Sequence, residues 1–155
     1  METSAKPRKI LLVDDNPADL YIAREALKAS GVGLELTALA GGQEALRVLR
    51  EAAQKTPGEV AMLVLLDLNM PVMDGEATLR EIRKDPAIWL TPVVMLTTSS
   101  ANHDVARCYA AGANAYICKP LLFNGMTQLF TDLDRFWSSH VLLSKTPPNL
   151  LPRMG

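Results

Sequence analysis

Five polar residues each follow directly on a short apolar run, and their types suit one kind of chemistry. Asp14 and Asp15 come after Ile10 to Val13, and Asp67 after Val60 to Leu66. Thr97 follows Val93 to Leu96, and Lys119 follows Ala115 to Cys118. If each run is a strand of one open sheet, these residues meet at its carboxyl edge, where such sheets bind ligands. Close carboxylates repel by about 4 kcal/mol per pair at ~4 Å and an effective dielectric of 20, so the cluster must hold protons or a cation. Donors that are all oxygen favour a hard ion such as Mg2+, which keeps several waters and leaves room for a phosphate oxygen. With the acids screened, one carboxylate can attack phosphorus and form an aspartyl phosphate. Lys119 would supply the counter-charge to the new dianion and Thr97 a hydrogen-bond donor. Asp67 stands alone after the central run and reads as the nucleophile, while Asp14 and Asp15 are paired like metal ligands. Taken singly, each residue has a plainer use: a turn or capping Asp, a solvated lysine, a loop hydroxyl. Their coincidence at one sheet edge carries the functional reading.

The elements that must position these residues are legible in the same way. Asn16 can cap a helix with Pro17 at its first position, and Leu20, Ala23 and Leu27 recur at helical spacing until Ser30-Gly31. Leu34 to Leu39 is a second strand, and Ala45, Leu46, Leu49 and Ala52 mark a second helix. Val60 to Leu66 is the strongest apolar run, suited to a parallel strand covered on both faces. A loop from Asp67 to Gly75 leads to a short helix with Leu79 and Ile82, stopped before Pro86. A fourth helix carries Val105, Cys108 and Tyr109 and ends near Gly112. The last helix, after Asn124, places Met126, Leu129, Phe130, Leu133, Phe136 and Trp137 on a broad apolar face. Strands alternating with helices predict an α/β fold, a doubly wound parallel sheet with helices on both faces.

The stretches LLVDDNPAD, LLDLNMPVMDG, PVVMLTTSS and GANAYICKP resemble, in order, the receiver domains of two-component response regulators. The resemblance spans about residues 8 to 137. It implies a flavodoxin-like five-stranded sheet of order 2-1-3-4-5 and a phosphoryl group accepted on Asp67 from a sensor histidine kinase. It further implies Mg2+ held by Asp14, Asp15, Asp67 and the backbone carbonyl of Asn69. Thr97 would be the switch hydroxyl, Tyr116 the aromatic that changes rotamer with it, and Lys119 the contact to phosphoryl oxygens. Lys119-Pro120 would be a cis peptide. Asn69 and Ser99 would flank the path of an attacking water.

Length and composition narrow the remaining choices. A chain of 155 residues suits one domain with a conventional core. With 16 basic residues against 17 acidic ones there is no counterion-release drive toward nucleic acid. The longest apolar run is too short to cross a bilayer, and the N-terminus lacks the apolar region of a secretory signal. Cys108 and Cys118 read as reduced residues, so the expectation is a cytoplasmic protein. Residues 1-137 are expected to form the receiver domain and 138-155 an acid-free extension. Those final 18 residues are too few for an effector module, which makes protein–protein contact the expected output. The Phe136-Trp137 pair and the apolar extension, with the LTTS run, resemble single-domain regulators paired with bacterial and cyanobacterial phytochrome histidine kinases. Such regulators often form homodimers, and Phe130, Phe136, Trp137, Leu142 and Leu143 are the candidate interface.

Other functions on this fold fit less well. An aspartyl phosphatase resembles a pattern with a second acid two residues after its nucleophile, where this chain has Asn69, which cannot deliver a proton. A flavodoxin would need a Ser/Thr- and Gly-rich phosphate loop where this chain has acids. A receiver that binds partners without taking phosphate remains an alternative.

Overall fold

The computed structural model describes residues 8–57 and 62–153. Strands β1 (Lys9–Val13), β2 (Glu35–Leu39), β3 (Met62–Leu66), β4 (Val93–Thr97) and β5 (Ala115–Cys118) alternate with helices α1 (Pro17–Ser30), α2 (Gly42–Lys55), α3 (Gly75–Lys84), α4 (Asn102–Ala110) and α5 (Phe123–Ser139). The strands form one sheet in the order β2-β1-β3-β4-β5, and every pairing is parallel. This is the doubly wound, flavodoxin-like order 2-1-3-4-5. The chain reverses direction across the sheet between β1 and β3, the place where open α/β sheets leave a crevice at their carboxyl ends.

Period-2 alternation divides the strand side chains between two cores. Leu11, Val13, Val64, Leu66, Val93 and Met95 pack beneath α2, α3 and α4. Ile10, Leu12, Leu63, Leu65, Val94 and Leu96 face α1 and α5. The three central strands are buried almost throughout, which is why their sequences are continuous apolar runs. Val60 and Ala61, the first residues of the longest run, lie outside the described residues.

Local chemistry sets the helix ends. Asn16 accepts from the Ala18 N–H at 2.9 Å, Pro17 opens α1, and Gly31 closes it in the left-handed conformation at φ 70°. The Asp74 carboxylate caps α3 through the Ala77 N–H at 2.8 Å, so the helix begins at Gly75, a residue expected in the preceding loop. The Lys119–Pro120 bond is trans, as are the other described peptide bonds. The expected cis form is absent, and the ordinary preference of X–Pro bonds for trans prevails.

Packing on the domain shapes the C-terminal segment. Helix α5 runs through Ser139, so the boundary placed at residue 137 falls inside it. The segment beyond then folds back along the domain. Val141 and Leu143 pack on the α1–α5 core, and the Val141 carbonyl accepts from Arg8 at 3.2 Å. Pro148 is buried, its carbonyl accepts from the Trp89 indole at 3.2 Å, and the Arg153 guanidinium lies 5.1 Å from the Trp89 ring centre.

These placements also redistribute the candidate interface. Phe130 is fully buried and Trp137 is 6% exposed, so both side chains are consumed within the domain and cannot serve a partner as expected. Met126, Phe130, Leu133 and Trp137 share one stripe of α5 against α1 and the sheet. Phe136 lies roughly 90° away around the helix and is exposed. Leu142 is exposed, while Leu143 packs inward.

Candidate functional site

The site is assembled by the ends of four strands. Parallel pairing continues one residue past β1 and β3: the Asp14 N–H donates to Leu39 O at 3.0 Å and the Asp67 N–H to Val13 O at 2.9 Å. These bonds bring both acids to the same edge. Asp14 is 2% exposed and Asp67 8% exposed, whereas Asp15 faces solvent. One carboxylate oxygen from each of Asp14, Asp15 and Asp67 lies within 4.8 Å of the others. The loop after Asp67 is held by the Gly75 N–H donating to Leu68 O at 2.8 Å. Only glycine fits there, because a Cβ at residue 75 would overlap the Asp67 carbonyl oxygen and come within 2.8 Å of Leu68 Cα. Asn69 is exposed on this loop, and its carbonyl accepts no hydrogen bond from the described residues.

Lys119 reaches the acids from the end of β5. Its backbone N–H donates to Thr97 O at 2.7 Å, which fixes its Cα beside β4. Its ammonium donates to Asp14 Oδ2 at 2.7 Å and to Asp19 Oδ2 at 2.9 Å. Asp14 is thus engaged at both oxygens, since Oδ1 accepts from the Asn16 N–H at 2.9 Å. Burial alone would lower the Lys119 pKa, but its bonds to Asp14 and Asp19 and the charge of Asp67 outweigh burial and hold it above the usual lysine value. Asp67 is pushed the other way for a carboxylate. Burial raises its pKa most, Asp14 adds repulsion, and Lys119 offsets only part of this.

Thr97 is completely buried, and its hydroxyl lies close enough to Asp67 to lower that carboxyl's pKa without making a hydrogen bond of full geometry. An unsatisfied buried hydroxyl costs about 1–3 kcal/mol, so a well-placed phosphoryl oxygen on Asp67 would relieve part of that cost. The Tyr116 hydroxyl donates to Ser99 O at 2.8 Å, in the loop after β4. Ser99 Oγ also donates to Asp104, which pairs with Arg107, and Arg107 bonds Glu76 of α3. This chain ties the loop after Thr97 to α3 and α4.

The structure therefore brings together Asp14, Asp15, Asp67, Thr97 and Lys119, with Tyr116 one loop away. Phe136 lies on α5 and Leu142 beyond its C-terminus, whereas the acids sit beside that helix's N-terminus. Asp19 was missed by the sequence reading. Its signal was positional: as the third residue after the Asn16 cap, it lies in the first turn of a helix that starts at the site. A cavity of about 210 Å³ opens beside the Lys119–Asp19 pair, walled by Ile22, Ala23, Leu122, Phe123 and Met126.

The donor set fits a hard divalent cation: three carboxylates converge with no nitrogen or sulfur ligand among them, and a free carbonyl lies nearby. Residues 10–131 match the response regulator receiver domain. The chain belongs to that family. It is 34% identical over 142 residues to response regulator Rcp1 of Synechocystis sp., covering 92% of this chain and 97% of the relative. Among solved structures, the phosphorylated cyanobacterial phytochrome response regulator RcpA is similar at 36% identity and TM-score 0.75, over 88% of this chain and 98% of that one. The Mn2+-bound form of Rcp1 is similar at 35% identity and TM-score 0.72, over 88% and 99%. This receiver-family member is accordingly a signalling protein, related to a phytochrome response regulator.

Proposed function

We propose that this chain is a response regulator receiver that accepts a phosphoryl group on Asp67 from a sensor histidine kinase, in a Mg2+-dependent step, and signals through protein–protein contact. The observation that carries the proposal is the Asp67 carboxylate, buried at the end of the central strand between two further acids and an ammonium, beside the buried Thr97 hydroxyl. In the transfer, an Asp67 oxygen forms a bond to phosphorus as the P–N bond to the donor imidazole breaks. Asp14, Asp15, Asp67 and the Asn69 carbonyl would hold the cation, which supplies charge neutralisation on the transferring phosphoryl oxygens. Lys119 adds positive charge from the other side. The Thr97 hydroxyl then donates to a phosphoryl oxygen, and the loop after β4 shifts with it, together with Tyr116, which is bonded to Ser99 of that loop. The α4–β5–α5 face reports the change to a partner with different affinity for the two states.

The likeness to Rcp1 and RcpA supports a kinase of the bacterial or cyanobacterial phytochrome type. The same likeness, with the exposed Phe136 and Leu142, supports a homodimer. No helix among the described residues is long and apolar enough to cross a membrane, and Cys108 and Cys118 are both free thiols, which supports a cytoplasmic setting. The phosphoryl group is expected to leave by attack of water, without turnover of an external substrate.

The test is intact mass after incubation with acetyl phosphate, with and without Mg2+, alongside Asp67→Asn. A gain of one phosphoryl group that needs Mg2+ and disappears in the variant is the expected result. No gain from acetyl phosphate or from a phosphorylated phytochrome kinase, in protein shown to be folded, favours the phosphorylation-independent binding module.

A further inference from the structure

We propose that Asp19 is a positioning residue: it keeps Lys119 beside Asp67 when a divalent cation takes Asp14 from it. The inference rests on the reading of the acid cluster as a cation site and goes beyond it. Lys119 divides its ammonium between two carboxylates, Asp14 at 2.7 Å and Asp19 at 2.9 Å. Asp14 belongs to the cation cluster and Asp19 does not. A cation drawing on Asp14 Oδ2 must therefore compete with Lys119 for the same oxygen.

What happens to the displaced ammonium decides how hard that competition is. The Lys119 side chain is only 12% exposed, so an ammonium released from Asp14 without another partner would be a nearly buried, unpaired charge. Asp19 prevents this. It is held in the first turn of α1, where its N–H shares the Asn16 cap and the helix N-terminus favours its negative charge. With Asp19 present, Lys119 loses one of two bonds when the cation binds and stays in place to meet the phosphoryl group. Without it, Lys119 either remains on Asp14 and excludes the cation or is left unpaired.

The test is calorimetric titration of MgCl2 into the full chain and into Asp19→Asn, Lys119→Met and the double variant, each checked for native circular dichroism. Removing a nearby negative charge weakens cation binding by itself, and the double variant separates that effect from one acting through Lys119. Asp19→Asn should weaken Mg2+ binding about five- to tenfold in the wild-type background, the loss of one partly exposed charge-assisted hydrogen bond. In the Lys119→Met background the same change should cost about twofold or less. Asp19→Glu, which keeps the carboxylate, should recover most of the affinity. Equal losses in both backgrounds overturn the proposal while leaving the cation site intact. No binding of Mg2+ to folded wild-type protein removes the cation site itself, and the proposal falls with it.

Discussion

Replacing Asp67 by Asn should stabilise the protein at neutral pH when divalent cations are chelated, although it destroys the acceptor. The raised pKa of Asp67 means that its charged form is disfavoured by the fold. Unit charges at the 4.8 Å limit of the acid cluster repel by about 3.5 kcal/mol at an effective dielectric of 20. Lys119 offsets roughly one such interaction, so the burial of the Asp67 carboxylate is what remains, and neutralising it should bring a net relief of about 1–2 kcal/mol. For a domain of this length that corresponds to a rise of about 3–6 °C in Tm. The pH dependence has a definite sign. Between the ordinary carboxylate pKa of about 4 and the higher native value, the folded state binds more protons than the unfolded chain, so wild-type stability falls as pH rises through that window. The advantage of the variant should therefore be larger at pH 7 than at pH 4. Thermal unfolding followed by far-UV circular dichroism in EDTA, at pH 4 and pH 7, reads both effects. Millimolar Mg2+ should then raise the wild-type Tm more than that of the variant, narrowing the gap. A variant equal to or less stable than wild type in EDTA at pH 7 would refute the charge-burial reasoning.

Three further outcomes are expected. Gly75→Ala forces a methyl group onto the Asp67 carbonyl and should cost about 2–3 kcal/mol while slowing phosphorylation by acetyl phosphate; chemical denaturation and intact mass report the two effects. Val72 is an exposed β-branched residue at φ 68°, within a tight turn closed by the Met73 N–H on Pro71 O at 2.8 Å. Val72→Asn should raise stability by about 1 kcal/mol, seen as a higher urea midpoint at unchanged slope. Ending the chain after Lys145 removes the Pro148 carbonyl and Arg153 from Trp89, and should red-shift the tryptophan emission and lower stability by about 1–2 kcal/mol; unchanged emission would mean that this segment is not seated on Trp89.

Much of the site was legible in the sequence because strand ends and chemistry coincide. A parallel strand buried on both faces needs an unbroken apolar run, so the first polar residue after Val13 or Leu66 marks where the strand leaves the core. Parallel order then places all such residues at one edge, and residue type does the rest: Asp14, Asp15, Asp67, Thr97 and Lys119 meet as their positions imply. The helix starts at Asn16-Pro17 and the stop at Gly31 were readable for the same local reason, since caps depend on a few adjacent residues.

What the sequence could not determine depends on partners distant along the chain. Asp14 and Lys119 are 105 residues apart, and nothing local says that the ammonium would choose Asp14 and Asp19 rather than Asp67. The neglect of Asp19 has that cause. The apolar face of α5 was read correctly in kind but too broadly: which of Phe136 and Trp137 turns inward is set by the angle at which the helix lies against α1. The route of the C-terminal segment is likewise tertiary, because its anchors are the Trp89 indole and the Arg8 side chain, supplied by other elements. Local pattern determined the elements and the chemical inventory of the site, whereas charge pairing and side-chain burial were decided by packing, where each choice depends on every neighbour at once.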